Sequence, residues 1–162
     1  MIHTDRPKVT LERTFHASIE EVWELWTTKE SLAAWWAPEG WSIAVRKVDL
    51  RPGGEFVFET TATDPEQIEF NARSGMPQTH VHRIVYTRVE PPRLLAYQDM
   101  IDFVDGVPAY GVDNVIEFEE IDAGVRMVLT FGPMHSDEWS RLAVLGWESQ
   151  LRQLDALIAS RR

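Results

Sequence analysis

Two histidines that are two positions apart could begin a metal site. His80 and His82 lie in an alternating segment typical of a strand, so their side chains point to the same face of a sheet. A neighbouring strand would have to supply a third ligand, and by topology this could be Asp99 or Asp113. The alternative is a pair of partly exposed polar residues. Because two ligands without a third seldom make a site, the sequence predicts no metal and no other cofactor.

Acidic side chains are concentrated before a predicted turn. Asp99, Asp102 and Asp105 precede Gly106, but their spacing is not that of a calcium loop, and a solvated hairpin explains them. The chain has no glycine-rich phosphate loop, no Gly-x-Ser-x-Gly and no His-Glu-x-x-His. An enzyme acting in a cavity could use His82, Asp99 or Tyr97 as its acid or base, on position alone. No residue is assigned as catalytic.

Aromatic residues indicate another kind of site. The chain contains 7 tryptophans, which can either fill a core or line a cavity. A mostly apolar lining with a few polar groups is the usual composition of a small-molecule site. The alternative is that the rings pack the interior themselves. The candidate ligand-binding residues are those predicted to border the space between a C-terminal helix and a sheet: Trp36, Trp41, Phe56, Phe58, His82, Tyr97, Tyr110, Asn114, Trp139 and Trp147.

The last segment predicts the helix that would cover these residues. From Ser136 to about Arg161 the pattern is that of one long helix, and its apolar residues Trp147, Leu151, Leu154 and Ile158 share one face. Gly146 lies inside this helix, where glycine costs roughly 1 kcal/mol relative to alanine. We interpret the Gly146–Trp147 pair as packing, with the glycine marking the close approach of a neighbouring element.

The remaining segments predict a single domain over residues 1–162, with the order β-α-α-β-β-β-β-β-β-α. Ser18 and Glu21 form a capping box at the start of the first helix. Residues 62–78 could be a strand or a mobile flap over a pocket. Short turns between the later strands predict an antiparallel sheet. The predicted elements are strands at 8–16, 41–50, 55–61, 80–89, 94–103, 110–119 and 125–131, with a second helix at 29–36.

Composition narrows the range of partners. A formal net charge of −10 disfavours nucleic acids and anionic membrane surfaces. No apolar run is long enough to span a bilayer, and the first residues lack the apolar core of a signal peptide. There are no cysteines, which excludes disulfides and thiolate chemistry. We therefore expect a cytoplasmic monomer or homodimer.

Four stretches resemble a known family. The order of elements is similar to the helix-grip fold of birch-pollen-allergen proteins and steroidogenic lipid-transfer domains, the START-like or SRPBCC superfamily. Within it, the chain resembles the activators of the heat-shock-protein-90 ATPase, in their bacterial stand-alone form. The stretches that carry the resemblance are Ala-Ser-Ile-Glu-Glu-Val-Trp at 17–23, Trp-Trp-Ala-Pro-Glu-Gly at 35–40, Leu-Arg-Pro-Gly-Gly-Glu-Phe at 50–56, and Val-Glu-Pro-Pro-Arg-Leu at 89–94 together with Gly146-Trp147.

The resemblance implies an α+β helix-grip fold, in which a curved antiparallel sheet wraps around a long C-terminal helix. It further implies a cavity between helix and sheet that binds a small hydrophobic or amphipathic molecule, such as a lipid. Two alternatives follow from the same relatives. One is a co-chaperone-like regulator of a heat-shock ATPase, acting in the stress response. The other is a cavity-based enzyme, such as a polyketide cyclase, aromatase or hydrolase. The family has no shared catalytic triad.

Overall fold

Short turns between successive strands build one antiparallel sheet in the computed structural model, which describes residues 7–162. Residues 1–6 of the predicted domain lie outside the described range. The elements are β1 (Val9–Phe15), α1 (Ile19–Thr27), α2 (Lys29–Trp35), β2 (Trp41–Val48), β3 (Glu55–Ala62), α3 (Pro65–Arg73), β4 (Thr79–Glu90), β5 (Leu94–Ile101), β6 (Tyr110–Ile121), β7 (Gly124–Phe131) and α4 (Asp137–Ser160). The strands lie in the order β1-β7-β6-β5-β4-β3-β2, and each pairs antiparallel with its neighbours.

The strands have one face toward the core. In β3 the side chains of Phe56, Phe58, Thr60 and Ala62 are buried, while the residues between them are partly exposed. This period of two is the pattern expected of a sheet that is covered on one side. The predicted α+β helix-grip fold is confirmed, and each predicted strand is present within about two residues of its expected bounds.

The C-terminal helix covers the inner face of the sheet. Ser136 caps its first turn, with its hydroxyl oxygen accepting a hydrogen bond from the Trp139 amide at 3.2 Å. The predicted stripe is confirmed, since Trp147, Leu151, Leu154 and Ile158 are all buried. They pack in the same core cluster as residues of α1, α2 and the sheet.

The N-terminal cap of α1 differs from the predicted capping box. Ser18 accepts a hydrogen bond from the Glu21 amide at 3.1 Å, as expected. The Glu21 carboxylate does not return to the cap. It pairs instead with Arg162 at 2.6 Å and with Arg161 at 3.4 Å. These arginines compete successfully because they bring positive charge to the carboxylate, which a backbone amide does not.

A third helix replaces the strand or flap predicted for residues 62–78. Helix α3 begins at Pro65, directly after Asp64, whose side chain accepts hydrogen bonds from the Glu66 and Gln67 amides at 3.1 and 3.3 Å. Aspartate at the cap and proline in the first turn are the residues that favour a helix start. The start of α3 also packs on Gly40, where a Cβ would lie 3.1 Å from the Asp64 Cβ. In the described range, no helix is both long and apolar enough to cross a membrane.

Candidate functional site

A cavity of about 500 Å³ lies between the inner face of the sheet and helix α4. Its sheet wall is formed by inward-facing positions on three neighbouring strands. Exposed residues of the lining, namely Glu39, Pro77 and Leu145, mark where it opens to solvent. The sheet wall consists of Phe58 and Thr60 on β3, His80, His82 and Ile84 on β4, and Tyr97, Asp99 and Ile101 on β5.

Helix α4 forms the opposite wall through a stripe with helical spacing. The stripe contains Trp139, Leu142, Ala143, Gly146, Trp147 and Gln150. Gly146 lies in the middle of it, and a Cβ built there would meet no atom of a neighbouring element within 4 Å. The close approach predicted for Gly146 is therefore wrong. The glycine faces open space, and its missing side chain leaves cavity volume unfilled.

The segment between α2 and β2 forms a third side, and hydrogen bonds attach it to α4. The side-chain amide of Gln150 donates to the Trp36 carbonyl, and that of Gln153 donates to the Ala37 carbonyl. The Glu39 amide donates to the hydroxyl oxygen of Ser149 at 2.8 Å. These bonds fix the position of the Trp36 backbone relative to the cavity.

Helix α3 and the residues after it close the fourth side. Gln67, Phe70 and Asn71 line the cavity from the helix, followed by Met76 and Pro77. Asn71 is fully buried, and its side-chain oxygen accepts a hydrogen bond from the side-chain amide of Gln67 at 2.9 Å. A buried and hydrogen-bonded asparagine holds the helix in one orientation, because its polar atoms would otherwise lack partners.

Aromatic rings contact one another around the cavity. Trp36 is central, with ring centroids 5.5 Å from Trp147, 6.2 Å from Phe58 and 6.5 Å from Tyr97. The rings of Phe103 and Trp139 lie 6.1 Å apart at another part of the lining. Most of these pairs are edge-to-face, which is a favourable arrangement for aromatic side chains. The cavity therefore has broad aromatic walls that are already packed against one another.

The two histidines lie on the same face of β4, as predicted. Both line the cavity, and their ring centroids are 4.5 Å apart. His82 Nε2 is hydrogen-bonded to Thr60 Oγ1 at 2.8 Å, and its ring stacks on Phe58. Burial, together with the nearby charge of His80, lowers the pKa of His82 to about 3. His82 is therefore neutral at physiological pH. His80 Nε2 lies 3.3 Å from Asp102 Oδ1, although not in hydrogen-bond geometry.

The two acidic residues considered as a third metal ligand point to opposite faces of the sheet. Asp99 lines the cavity, whereas Asp113 is on the outer face, where it accepts a hydrogen bond from Gln98 at 2.9 Å. Among residues 7–162, no group of three or more potential ligands is arranged to hold a metal ion.

Asp99 is the carboxylate that lies on the inner face of the sheet. It occupies an inward position of β5 between Tyr97 and Ile101, and it pairs in register with Ile84 and Val112. Burial, followed by the charge of Asp102, raises the pKa of the Asp99 carboxyl to about 7. Burial and the Asp99 charge likewise keep the pKa of Tyr97 well above its usual range. The predicted solvated hairpin therefore describes Asp102 and Asp105, which are exposed, but not Asp99, which lines the cavity.

The cavity brings together most of the predicted ligand-binding residues. Three of the predicted residues lie elsewhere. Phe56 packs beneath Trp36 in the core, with their ring centroids 5.4 Å apart. The Tyr110 hydroxyl is hydrogen-bonded to His135 Nδ1 at 2.6 Å. The side-chain amide of Asn114 donates a hydrogen bond to the Val112 carbonyl at 3.0 Å. The predicted residues that do line the cavity are Trp36, Trp41, Phe58, His82, Tyr97, Trp139 and Trp147.

Several lining residues were absent from the predicted set. Asp99 and His80 could have been included from strand alternation, since each shares a face with a predicted residue two positions away. Gly146 could have been included from its spacing to Trp139 and Ala143 along the helix. Phe70 lies on α3, where the sequence pattern predicts a strand or a flap instead of a helix.

Comparison with solved structures supports the same fold. The crystal structure of the AHSA1 protein from Silicibacter pomeroyi has a TM-score of 0.76 at 22% identity, covering 96% of this chain and 100% of that chain. A protein from Mycobacterium smegmatis has a TM-score of 0.75 at 22% identity, covering 100% of this chain and 97% of that one. A protein from Chromobacterium violaceum has a TM-score of 0.72 at 24% identity, covering 93% of this chain and 96% of that chain.

Similarity at the level of sequence identifies the family. None of the curated proteins matches the chain. The family model described as "Activator of Hsp90 ATPase homolog 1-like protein" matches residues 16–159. Because that match covers most of the 162 residues, the chain belongs to the family of Activator of Hsp90 ATPase homolog 1-like proteins.

Proposed function

We propose that this protein binds a small, largely apolar molecule in the cavity between α4 and the sheet. The observation that carries the proposal is the open volume of about 500 Å³ bordered by aromatic rings. Small-molecule sites typically enclose about 300–1,000 Å³. Protein interiors are otherwise close-packed, so an unfilled apolar space of this size calls for an occupant.

Gly146 supports the proposal independently. Glycine inside a helix costs about 1 kcal/mol relative to alanine. No neighbouring element approaches Gly146 closely enough to require it, since the space beside it is open. The cost is explained if the volume that a side chain would occupy is needed for a ligand.

Replacing Gly146 with leucine tests this proposal. The probe is N-phenyl-1-naphthylamine, a neutral dye that fluoresces more strongly in apolar surroundings. We expect the unmodified protein to enhance its fluorescence saturably, and Gly146→Leu to weaken its binding about tenfold or more, because leucine fills part of the cavity. Ala156→Leu is the matched control, since Ala156 is an exposed position of the same helix outside the lining.

Thermal melts of both variants establish that they are folded. The control should bind the dye like the unmodified protein. Absence of saturable binding to the unmodified protein, or equal binding by Gly146→Leu, would contradict a ligand function for the cavity. Mass spectrometry of an organic extract of the purified protein provides a second measurement, in which a stoichiometric small molecule is expected.

Regulation of an Hsp90-type ATPase is a second candidate, favoured by the family match. Such a role needs a docking surface for another protein. Among the described residues, four large hydrophobic side chains are exposed, and they lie on four different elements: Ile68 on α3, Val81 on β4, Ile121 on β6 and Leu145 on α4. The cavity is therefore the better supported site. Stimulation of the ATPase of a cognate chaperone by the purified protein would favour the second candidate.

A further inference from the structure

Asp99 is placed where a strand facing the core normally carries an apolar residue. Its neighbours in register, Ile84 and Val112, are both buried, and Tyr97 and Ile101 flank it along the strand. Within residues 7–162, the Asp99 carboxylate makes no hydrogen bond or ion pair. An ionised carboxylate in such surroundings is costly unless a partner compensates its charge. Asp99 is partly buried, and its carboxylate faces the cavity without a protein partner to compensate its charge.

Tyr97, two positions before Asp99, also carries a polar group without a partner. Tyr97 is 3% exposed and lines the cavity, and its hydroxyl has no hydrogen-bond partner among the described residues. Buried hydroxyl groups are almost always hydrogen-bonded in native structures. Two unpartnered polar groups on one strand thus lie at the same wall.

The other ionisable groups of the lining do not satisfy Asp99. Glu39 is also acidic, and it pairs with Arg152 at 3.7 Å on the exposed side of the loop. His82 is hydrogen-bonded to Thr60, and His80 lies against Asp102. In the part of the chain that the structure describes, neither lysine nor arginine lines the cavity. A cation for Asp99 would have to come from the occupant.

The aromatic lining suits the same occupant. Trp36, Trp139 and Trp147 border the cavity, together with Phe58 and Phe103. The faces of aromatic rings attract cations, and this attraction is strongest for tryptophan. The same rings provide the apolar contact that a hydrophobic body requires.

We propose that the ligand is an apolar amine, whose protonated amino group binds the Asp99 carboxylate while its hydrophobic body lies among the rings of Trp36, Trp139 and Trp147. This inference rests on the proposed ligand-binding function and adds the chemical class of the ligand. A neutral molecule of the same shape would bind more weakly, because it leaves the carboxylate without a counter-charge. An anionic one, such as a fatty acid, would bind most weakly, because it places like charges together.

Three ligands with the same ring and different end groups test the inference. They are 2-(2-naphthyl)ethylamine, 2-(2-naphthyl)ethanol and 3-(2-naphthyl)propanoic acid, each competing with N-phenyl-1-naphthylamine at pH 8. We expect the amine to bind about tenfold or more tighter than the alcohol, as a charge-assisted contact predicts, and the acid to bind most weakly. Equal affinity of amine and alcohol for the unmodified protein would overturn the inference without any need for a variant.

Asp99→Asn then assigns the preference to one carboxylate. The variant should lose the preference for the amine and bind the alcohol at least as tightly as the unmodified protein does, because no carboxylate is left without a counter-charge. The matched control is Asp113→Asn, which removes an exposed carboxylate from the outer face of the adjacent strand. This control should keep the preference.

The outcomes separate the two proposals. If the dye binds and Gly146→Leu weakens it, but the unmodified protein binds amine and alcohol equally, the ligand class is wrong and the cavity function stands. If Asp99→Asn still prefers the amine, Asp99 is not the group that binds it, and the inference fails while the cavity function stands. If neither the dye nor any of the three ligands binds the folded protein, both proposals fail.

Discussion

At the residue scale, Asp99 is a side chain whose position reduces stability. An apolar or neutral residue would fit the inner face of β5 better than a carboxylate, because burial penalises the charged form. Sites that bind ligands often retain residues of this kind at a cost to the stability of the fold. The cost should be measurable through its dependence on pH.

We predict that Asp99→Asn raises the melting temperature at pH 8 and has roughly a third of that effect at pH 5. The pKa of Asp99 is raised from 3.8 to about 7 in the folded protein, so the unfolded chain loses this proton first as the pH rises. The stability of the unmodified protein therefore falls between about pH 4 and pH 7, and asparagine removes that loss.

Calorimetry or circular dichroism at both pH values measures the difference. Because the carboxyl is partly accessible from the cavity, we expect a gain of at least about 1 kcal/mol at pH 8, or about 2–4 °C. Asp113→Asn is the control and should show no such gain. A melting temperature of Asp99→Asn below that of the unmodified protein at pH 8 would contradict the prediction.

At the element scale, Trp147 connects α4 to the rest of the core. Its ring stacks on Trp26 with centroids 6.0 Å apart and meets Trp36 edge-on at 5.5 Å. The side chain is only 9% exposed although it also lines the cavity. It therefore has a packing role whether or not a ligand is bound.

We predict that Trp147→Ala lowers the free energy of unfolding by roughly 3–5 kcal/mol, since it removes a large buried ring and leaves a void. Denaturant unfolding measures this value. Trp41→Ala is a suitable comparison, because Trp41 also lines the cavity but is only partly buried at the start of β2. A Trp147→Ala variant as stable as Trp41→Ala would show that the ring is not an anchor of α4.

The strands and α4 could be predicted because their apolar periodicity is strong. Helix α3 could not, because it is short, and its side chains at Ile68 and Phe70 do not form a continuous apolar stripe. Ile68 is in fact 40% exposed. The local signal was present in Asp64 and Pro65, but the same dipeptide is typical of turns. Tertiary contacts distinguish the two, namely the packing of Asp64 on Gly40 and the burial of Asn71.

The lining of the cavity could be predicted only in part, because strand alternation gives the face of a residue but not its position relative to the cavity. Alternation along a strand indicates which residues share a face, so the aromatic residues of β3 and β5 were placed correctly. It does not indicate how far along the strand the core ends and the cavity begins. Phe56 and Phe58 share a face, yet only Phe58 reaches the cavity. That boundary depends on where Trp36 lies, which the packing of separate elements determines.

At the scale of the whole molecule, the C-terminal residues contact the start of α1. The Glu21 carboxylate of α1 pairs with Arg161 and Arg162, and the Arg162 guanidinium also donates to the His16 carbonyl at 3.0 Å. The hydrogen bond from Arg162 is the main reason why the pKa of Glu21 is lowered from 4.5. The C-terminal residues thus hold the start of α1 against the end of α4.

We predict that Glu21→Gln destabilises the protein at pH 7 and that this destabilisation is smaller at pH 3. A carboxyl whose pKa is lowered by folding contributes stability above its unfolded pKa and loses it as the pH falls through the folded value. Because this pair is near the surface, the effect at pH 7 should be below about 1 kcal/mol.

Chemical denaturation at the two pH values measures this contribution. Glu20→Gln is the control, since Glu20 is the exposed neighbour with no arginine partner among the described residues. If Glu20→Gln and Glu21→Gln lower the free energy of unfolding equally at pH 7, the effect comes from net charge and not from the pairing of Glu21 with the arginines.

The intrinsic fluorescence of the tryptophan cluster can report on the occupancy of the cavity. Trp26, Trp35, Trp36 and Trp147 form a chain of neighbouring rings, with successive centroids 4.8 to 6.0 Å apart. Excitation absorbed by any of these indoles can pass to the others at such separations. A guest molecule beside Trp36 or Trp147 would therefore alter the emission of the entire cluster, including rings it never touches, and occupancy could be followed in unlabelled protein.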